Sequence, residues 1–319
     1  MATGRAFIFP GQGAQSVGMG KALADAYPAA KAVFDEVDEA LGENLSRLIW
    51  EGPEEDLTLT ANTQPALMAV SVAAMRALEA EFGIGVDAAD YVAGHSLGEY
   101  SALAASGAIG IAETAKLLRI RGNAMQAAVA PGEGAMAALL GADTEQAEAA
   151  CAAGMAEAGG TCEIANDNAP GQLVLSGSVA AIEAACMHAR EHGVKKAVPL
   201  SVSAPFHCSL MEAAAEAMRV ALAKAEITAP KVPLIANVTA ATTSDPEAIR
   251  AQLVTQVTGR VRWRESVEFM AANGISRTAE AGAGKVLTVM NRRTARDIKG
   301  VTLGTPEDLQ AFAESLQGG

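Results

Sequence analysis

Asp90-Tyr91-Val92-Ala93-Gly94-His95-Ser96-Leu97-Gly98 carries the reading of the fold. The apolar run before Gly94 is short and bounded by Asp90, so it reads as a buried strand. From Ser96 to about Ala105 the residues suit a helix. Between them stands G-x-S-x-G in the strand–turn–helix setting of a nucleophile elbow. Its glycines let the chain turn sharply with no Cβ in the way. Ser96 then sits at a helix N-terminus, where free N–H groups and the helix dipole favour negative charge. The Leu97 N–H becomes a candidate oxyanion donor. With 31 glycines in 319 residues a chance match is a serious competitor, and the flanking strand and helix are what favour function.

Upstream, Ala6-Phe7-Ile8-Phe9 followed by Pro10-Gly11-Gln12-Gly13 reads as a buried strand opening into a glycine loop, with a helix near Gly20. Two nucleotide-binding patterns fail there. Ser16 stands where a dinucleotide fold needs Gly or Ala. Gln15 and Ala22 break a phosphate-binding loop around Gly20-Lys21. The loop instead approaches the serine, with the Gln12 N–H as second oxyanion donor, against the plainer reading of an ordinary turn.

Further helices are read over 34–41, 65–82 and 111–129, the last ended by Pro131-Gly132. The rhythm then changes. Strands over 135–140, 162–166, 172–176 and 197–200 alternate with helices over 144–153, capped by Asp143 or Thr144, and 178–193, capped by Ser178. This is the β-α-β-β-α-β order of a ferredoxin-like subdomain. Strands over 232–237 and 277–281, with helices over 246–256 and 266–273, complete an outer α/β sheet with helices on both faces. The expected architecture is an α/β-hydrolase-like core, 1–132 and 204–319, interrupted by a ferredoxin-like subdomain, 133–203.

Helix 111–129 holds two arginines. Arg119 has polar neighbours at helical spacing, whereas Arg121 faces Leu117, Leu118, Ala124 and Met125. A buried guanidinium needs an anion. An internal salt bridge is the commonplace answer. A substrate carboxylate, gripped by the guanidinium fork, is the functional one, and it would select acyl groups that carry a free carboxylate.

Of four histidines, His95 lies inside the elbow and should point away from Ser96, while His188 and His192 read as surface residues. His207 follows Ala204-Pro205-Phe206, a rigid apolar setting suited to a general base, with a satisfied core histidine as the alternative. No acid stands out as a third triad member, so a carbonyl or amide is expected to orient His207.

Bulk composition sets limits. The chain is 319 residues, 50% apolar and 19% charged, a globular composition. A net charge of −13 argues against nucleic acid as a partner. No apolar run spans a membrane, no signal peptide is evident, and Cys151, Cys162, Cys186 and Cys208 form no C-x-x-C pair. A reduced, cytoplasmic protein without metal is expected.

Taken together, Phe7 to Gln15, Thr63-Gln64-Pro65-Ala66, Gly94 to Tyr100, Arg119-Ile120-Arg121-Gly122, Asn166 to Gln172, Ser203 to His207, Gln256 to Trp263 and Glu280 to Leu287 resemble the acyltransferase family of fatty-acid and polyketide synthesis. Within it the chain is similar to the malonyl-CoA:acyl carrier protein transacylases, in order and over essentially its whole length. The resemblance implies that Ser96 is the acylated nucleophile, His207 the base and the Gln256 carbonyl its orienter. It implies that Gln12 and Leu97 form the oxyanion hole and that Arg121, supported by Gln64, pairs with the malonyl carboxylate. Asn166 and Phe206 are expected at the substrate, and the bulk of Phe206 should crowd an α-methyl group and favour malonyl over methylmalonyl. Malonyl-CoA enters as substrate, no cofactor is expected, and acyl carrier protein is the partner of a monomeric enzyme. Lys195-Lys196 and Arg292-Arg293-Arg296 are candidate docking patches. A serine hydrolase or thioesterase on a similar core, a polyketide-pathway acyltransferase and a non-catalytic carrier-binding module are the rival readings.

Overall fold

The computed structural model describes residues 4–202 and 204–317. Residues 1–3, 318 and 319, and Ser203, in the motif preceding His207, lie outside them. The strands are β1 (Gly4–Phe9), β2 (Tyr91–Gly94), β3 (Gly134–Leu140), β4 (Cys162–Ala169), β5 (Gln172–Ser178), β6 (Lys196–Pro199), β7 (Leu234–Ile235), β8 (Thr242–Thr243), β9 (Ile275–Ala281) and β10 (Lys299–Leu303).

Six of them form one sheet in the order β10-β9-β1-β2-β7-β8. Pairing is parallel from β10 through β7, and only β8 runs antiparallel. β1 lies near the centre, and both its faces are covered. Phe7 and Phe9 join the main core with Leu67, Val70 and Leu103, while Ala6 and Ile8 pack with Ile235, Trp263 and Val267 behind the sheet. Burial on both sides explains why β1 reads as a continuous apolar run rather than an alternation.

The remaining four strands form an antiparallel sheet ordered β4-β5-β3-β6. Helices Thr144–Ala158 and Val179–His188 pack on it around Leu139, Ile164, Leu175 and Ile182. Asp143 caps the first helix through a capping box with Gln146. Ser178 does not cap the second; its hydroxyl accepts from the Thr161 N–H at 3.2 Å, and that helix stops at His188, short of Gly193. His188 holds two acidic partners across its ring, Glu191 three residues on at 3.0 Å and the remote Glu157 at 2.6 Å, the latter marked by no spacing in the sequence.

Other departures have local causes. The helix read over 65–82 starts at Thr60, because Thr63 and Asn62 donate to the Leu57 and Asp56 carbonyls at 2.5 and 2.8 Å and so hold a polar first turn that propensity disfavours. The strand read over 232–237 shrinks to β7, where Pro233 offers no N–H to a ladder. β10 contains Lys299 and Gly300 and lies at the sheet edge, a composition that hides a strand.

The small sheet is fastened to the large one beside the elbow. Asn166 forms an isolated bridge with Val261. The buried Asp167 carboxylate accepts from Arg264 at 2.7 Å, and Asn168 bonds His95 at 2.8 Å.

The elbow is close-packed. A Cβ on Gly94 would lie 1.9 Å from the Gly98 carbonyl carbon, and one on Gly98 would lie 2.2 Å from the Phe9 oxygen. Gly98→Ala is therefore expected to destabilise the fold by about 1–3 kcal/mol and to disable the site, since backbone rather than a movable side chain blocks the methyl. Thermal unfolding checks this against Gly110→Ala, whose added methyl meets open space. Equal melting temperatures for the two variants would contradict the close approach.

Candidate active site

Ser96 stands between β2 and the helix Leu97–Ala105 with φ 53° and ψ −111°, a sparsely populated conformation for a side chain with a Cβ. Such strain costs on the order of 1–3 kcal/mol and persists only when the surroundings over-determine it. They do so here. The Ser96 N–H donates to Asn237 Oδ1 at 2.8 Å, and the Ser96 carbonyl accepts from Gln256 Nε2 at 2.9 Å. Asn237 Nδ2 in turn holds the Gly94 carbonyl at 2.6 Å.

His207 also has positive φ, 58°, just after Pro205-Phe206. Its Nδ1 faces the Gln256 carbonyl at 2.8 Å, and a carbonyl only accepts, so Nδ1 carries the proton. Nε2 is then the free lone pair, and it lies 2.7 Å from Ser96 Oγ. This is the nucleophile–base–orienter arrangement of a serine triad with a carbonyl in the acid's place. Burial first, and the Arg121 cation second, push His207 down to about 3, while the Gln256 carbonyl pulls the other way. The imidazole is neutral at working pH.

Arg121 rises from the helix Ile111–Ala127 and is 1% exposed. Its Nη1 donates to Gln64 Oε1 at 2.8 Å, and its Nη2 donates to Gln256 Oε1 at 2.8 Å and to Ser96 Oγ at 3.1 Å. Its Cζ lies 5.7 Å from the Tyr100 ring centroid. All these hydrogen-bond partners are neutral, so among the described residues no internal salt bridge holds Arg121. Arg119, two residues away, instead bonds Asn62 and pairs with Glu43 at the surface. Gly122 lets the two helices meet: a Cβ there would lie 2.6 Å from the Ala61 Cα.

Ser96, Arg121 and His207 open on one cavity of about 220 Å³. Gln12, Gln64, Leu97, Asn166 and Phe206 line it as well. Gln256 is fully buried behind it, holding His207 with its backbone and Arg121 with its side chain. A chain of bonds from Arg121 through Gln64 and Thr60 reaches the Gln12 side chain, tying the glycine loop to the guanidinium. His95 engages Asn168 rather than Ser96, lies against Trp263 and forms part of the cavity wall.

Two residues of this network carry no motif role in the sequence reading. Asn237 pins the elbow from the end of the β7 run. Glu99 sits in the first turn after Ser96, 1% exposed, and accepts from Gln256 Nε2 at 2.7 Å and from the Asn237 N–H at 3.3 Å. Burial raises its carboxyl to about 7 against the opposing pull of those donors and of Arg121. A glutamate on the buried side of the elbow helix was a usable signal for it; nothing local marked Asn237.

The acyl transferase domain family matches residues 6–311. Among curated proteins, the malonyl CoA-acyl carrier protein transacylase of Bacillus subtilis (strain 168) is 43% identical over 98% of this chain and 97% of its own. That of Escherichia coli (strain K12) is 42% identical over 97% and 98%. Among solved structures, an acyl-carrier-protein S-malonyltransferase from Bartonella henselae is 56% identical, with a TM-score of 0.95 over 98% of this chain and 99% of that one. A malonyl-transacylase in complex with its type II PKS acyl-carrier protein is 39% identical, with a TM-score of 0.94 over 98% and 100%. With its mixed α/β fold and this match over nearly all its length, the chain belongs to the acyl transferase domain family.

Proposed function

We propose that this enzyme transfers the malonyl group of malonyl-CoA to the phosphopantetheine thiol of acyl carrier protein, through a malonyl ester on Ser96, in fatty-acid biosynthesis. The observation that carries the reading is a buried guanidinium with neutral partners, hydrogen-bonded to the same hydroxyl that faces a neutral imidazole.

In acylation, His207 Nε2 takes the Ser96 proton as Oγ attacks the thioester carbonyl. The Gln12 and Leu97 N–H groups receive the oxyanion, each worth roughly 3–4 kcal/mol by the usual cost of losing such a donor. The tetrahedral intermediate collapses, the CoA sulfur leaves, and His207 returns the proton to it. In the second half the carrier thiol gives its proton to His207, its sulfur attacks the malonyl ester, and Ser96 regains the proton. This is ping-pong covalent catalysis, and it uses protein groups alone.

Arg121 supplies selectivity in two ways. The malonyl carboxylate satisfies it, whereas an acetyl group leaves the cation without an anion. The same pairing also removes the positive field that weakens His207, so the correct substrate strengthens its own base. Phe206 stands at the cavity where an α-methyl group would be crowded.

The strand–elbow–helix unit in a largely parallel sheet supports an α/β-hydrolase-like core over 1–132 and 204–319. The order β4-β5-β3-β6 supports a ferredoxin-like subdomain over 133–203. No helix among the described residues is long and apolar enough to cross a membrane. From the resemblance to the transacylases we infer a cytoplasmic monomer. For docking of the acidic carrier, helix Val286–Thr294 is the favoured face: Val286 and Met290 reach the cavity, while Arg292 and Arg293 lie exposed.

Intact-mass measurement after mixing with malonyl-CoA is expected to show one added malonyl group in the wild type and none in Ser96→Ala; addition to the variant would remove Ser96 as nucleophile. Arg121→Ala is expected to lose malonylation by a factor on the order of a hundred and to gain relatively with acetyl-CoA; an unchanged preference would take Arg121 out of the site. Acylation rates followed against pH are expected to show no loss of the base near pH 6.5, because a group held at about 3 is still neutral there. Reversing Arg292 and Arg293 to Glu is expected to slow transfer to the carrier without slowing malonyl-enzyme formation, and an equal effect on both halves would place docking elsewhere.

A further inference from the structure

We propose that Glu99 tunes how strongly the site selects a carboxylate-bearing acyl group, acting as a switchable counter-charge to Arg121. The inference rests on the reading of Arg121 as partner of the malonyl carboxylate.

Glu99 is placed to do this without blocking the site. It does not bond Arg121 directly. Its Oε2 holds Gln256 Nε2 at 2.7 Å, and the other end of that amide, Oε1, accepts from Arg121 Nη2 at 2.8 Å. The carboxylate, which accepts when ionised, fixes the amide so that its oxygen faces the guanidinium. The side of Arg121 toward Ser96 stays available for an incoming anion. Glu99 is thus a positioning residue that touches neither substrate nor reacting atoms.

The surroundings leave Glu99 few other charges. Arg121, from the helix Ile111–Ala127, is the cation acting on it. Tyr100, on its own helix, also faces Arg121 and Glu99, and burial keeps its hydroxyl protonated. The buried residues of helices Thr60–Phe82 and Pro246–Thr258 carry no charge, and neither do the buried residues of β1 and β2. His207, behind the Gln256 carbonyl, is neutral. The charge state of Glu99 therefore decides the net charge around Arg121.

With Glu99 protonated, the empty site holds one uncompensated cation, and a malonyl carboxylate is drawn in strongly. With Glu99 ionised, Arg121 already has a nearby counter-charge, a second carboxylate gains less, and a neutral acetyl group is penalised less. The carboxyl is raised by burial to about 7, so preference for malonyl falls as pH rises through neutrality. By linkage, malonyl binding raises the proton affinity of Glu99 by the same factor.

The test measures kcat/KM for acyl-enzyme formation from malonyl-CoA and from acetyl-CoA across pH, in the wild type and in Glu99→Gln. The ratio of the two donors cancels the ionisation of His207 and of CoA, which both share. The wild-type ratio is expected to fall about tenfold between about pH 6 and about pH 8. In Glu99→Gln it is expected to stay flat at the wild type's low-pH value. A flat wild-type ratio, or the same break in the variant, overturns the proposal; a merely structural Glu99 would slow both donors alike and leave the ratio's pH profile unmoved. Should Glu99→Gln not fold, the wild-type profile alone decides. Failure of the parent reading looks different: the wild type would show no malonyl preference at any pH, or Arg121→Ala would keep it.

Discussion

The site is organised around a cation kept out of water. Burying Arg121 among neutral amides and a hydroxyl is costly in isolation, because each of its hydrogen bonds is weaker compensation than an anion would be. The fold bears that cost with a glycine contact between two helices, which brings Gln64 to the guanidinium, and with Gln256 and the Tyr100 ring on its other sides. On the proposed reading, what is gained is a charge that a carboxylate-bearing acyl group would satisfy. Burial first, and the same cation second, keep the nearby imidazole unprotonated, so one placement acts on both the cavity's charge and the His207 ring.

Gln256 joins these consequences. Its carbonyl fixes the His207 tautomer, its amide nitrogen holds the Ser96 carbonyl, and its amide oxygen faces Arg121. A single residue on helix Pro246–Thr258 thereby fixes His207, Ser96 and Arg121 relative to one another. Ser96 and His207, both bonded to it, are both held at positive φ. Strain at Ser96 is tolerated because Asn237 and Gln256 anchor the backbone around it.

The elbow was legible in the sequence because its geometry demands particular residues at fixed spacing: Gly94 and Gly98 stand where any Cβ would strike backbone. Arg121 was legible because a guanidinium on an apolar helix face is anomalous without any knowledge of the fold. His207 could be singled out by elimination among few histidines and by its Pro-Phe setting. The β-α-β-β-α-β order between Gly134 and Pro199 followed from strand and helix periodicity. What escaped was tertiary. Asn237 and Glu99 act on Ser96 and Gln256 across 141 and 157 positions of chain, respectively, and no local pattern encodes such pairings. The polar first turn at Thr60 and the short edge strands escaped for a related reason: side-chain bonds and sheet position overrule propensity there.

The most direct measurement is the structure of the malonylated enzyme, from crystals of this chain exposed to malonyl-CoA. The expected result is a malonyl ester on Ser96 whose terminal carboxylate accepts both Nη groups of Arg121 at about 2.8 Å. An ester on Ser96 with its carboxylate turned to solvent, and Arg121 still shared between Gln64 and Gln256, would contradict the claim that this cation is buried for the substrate.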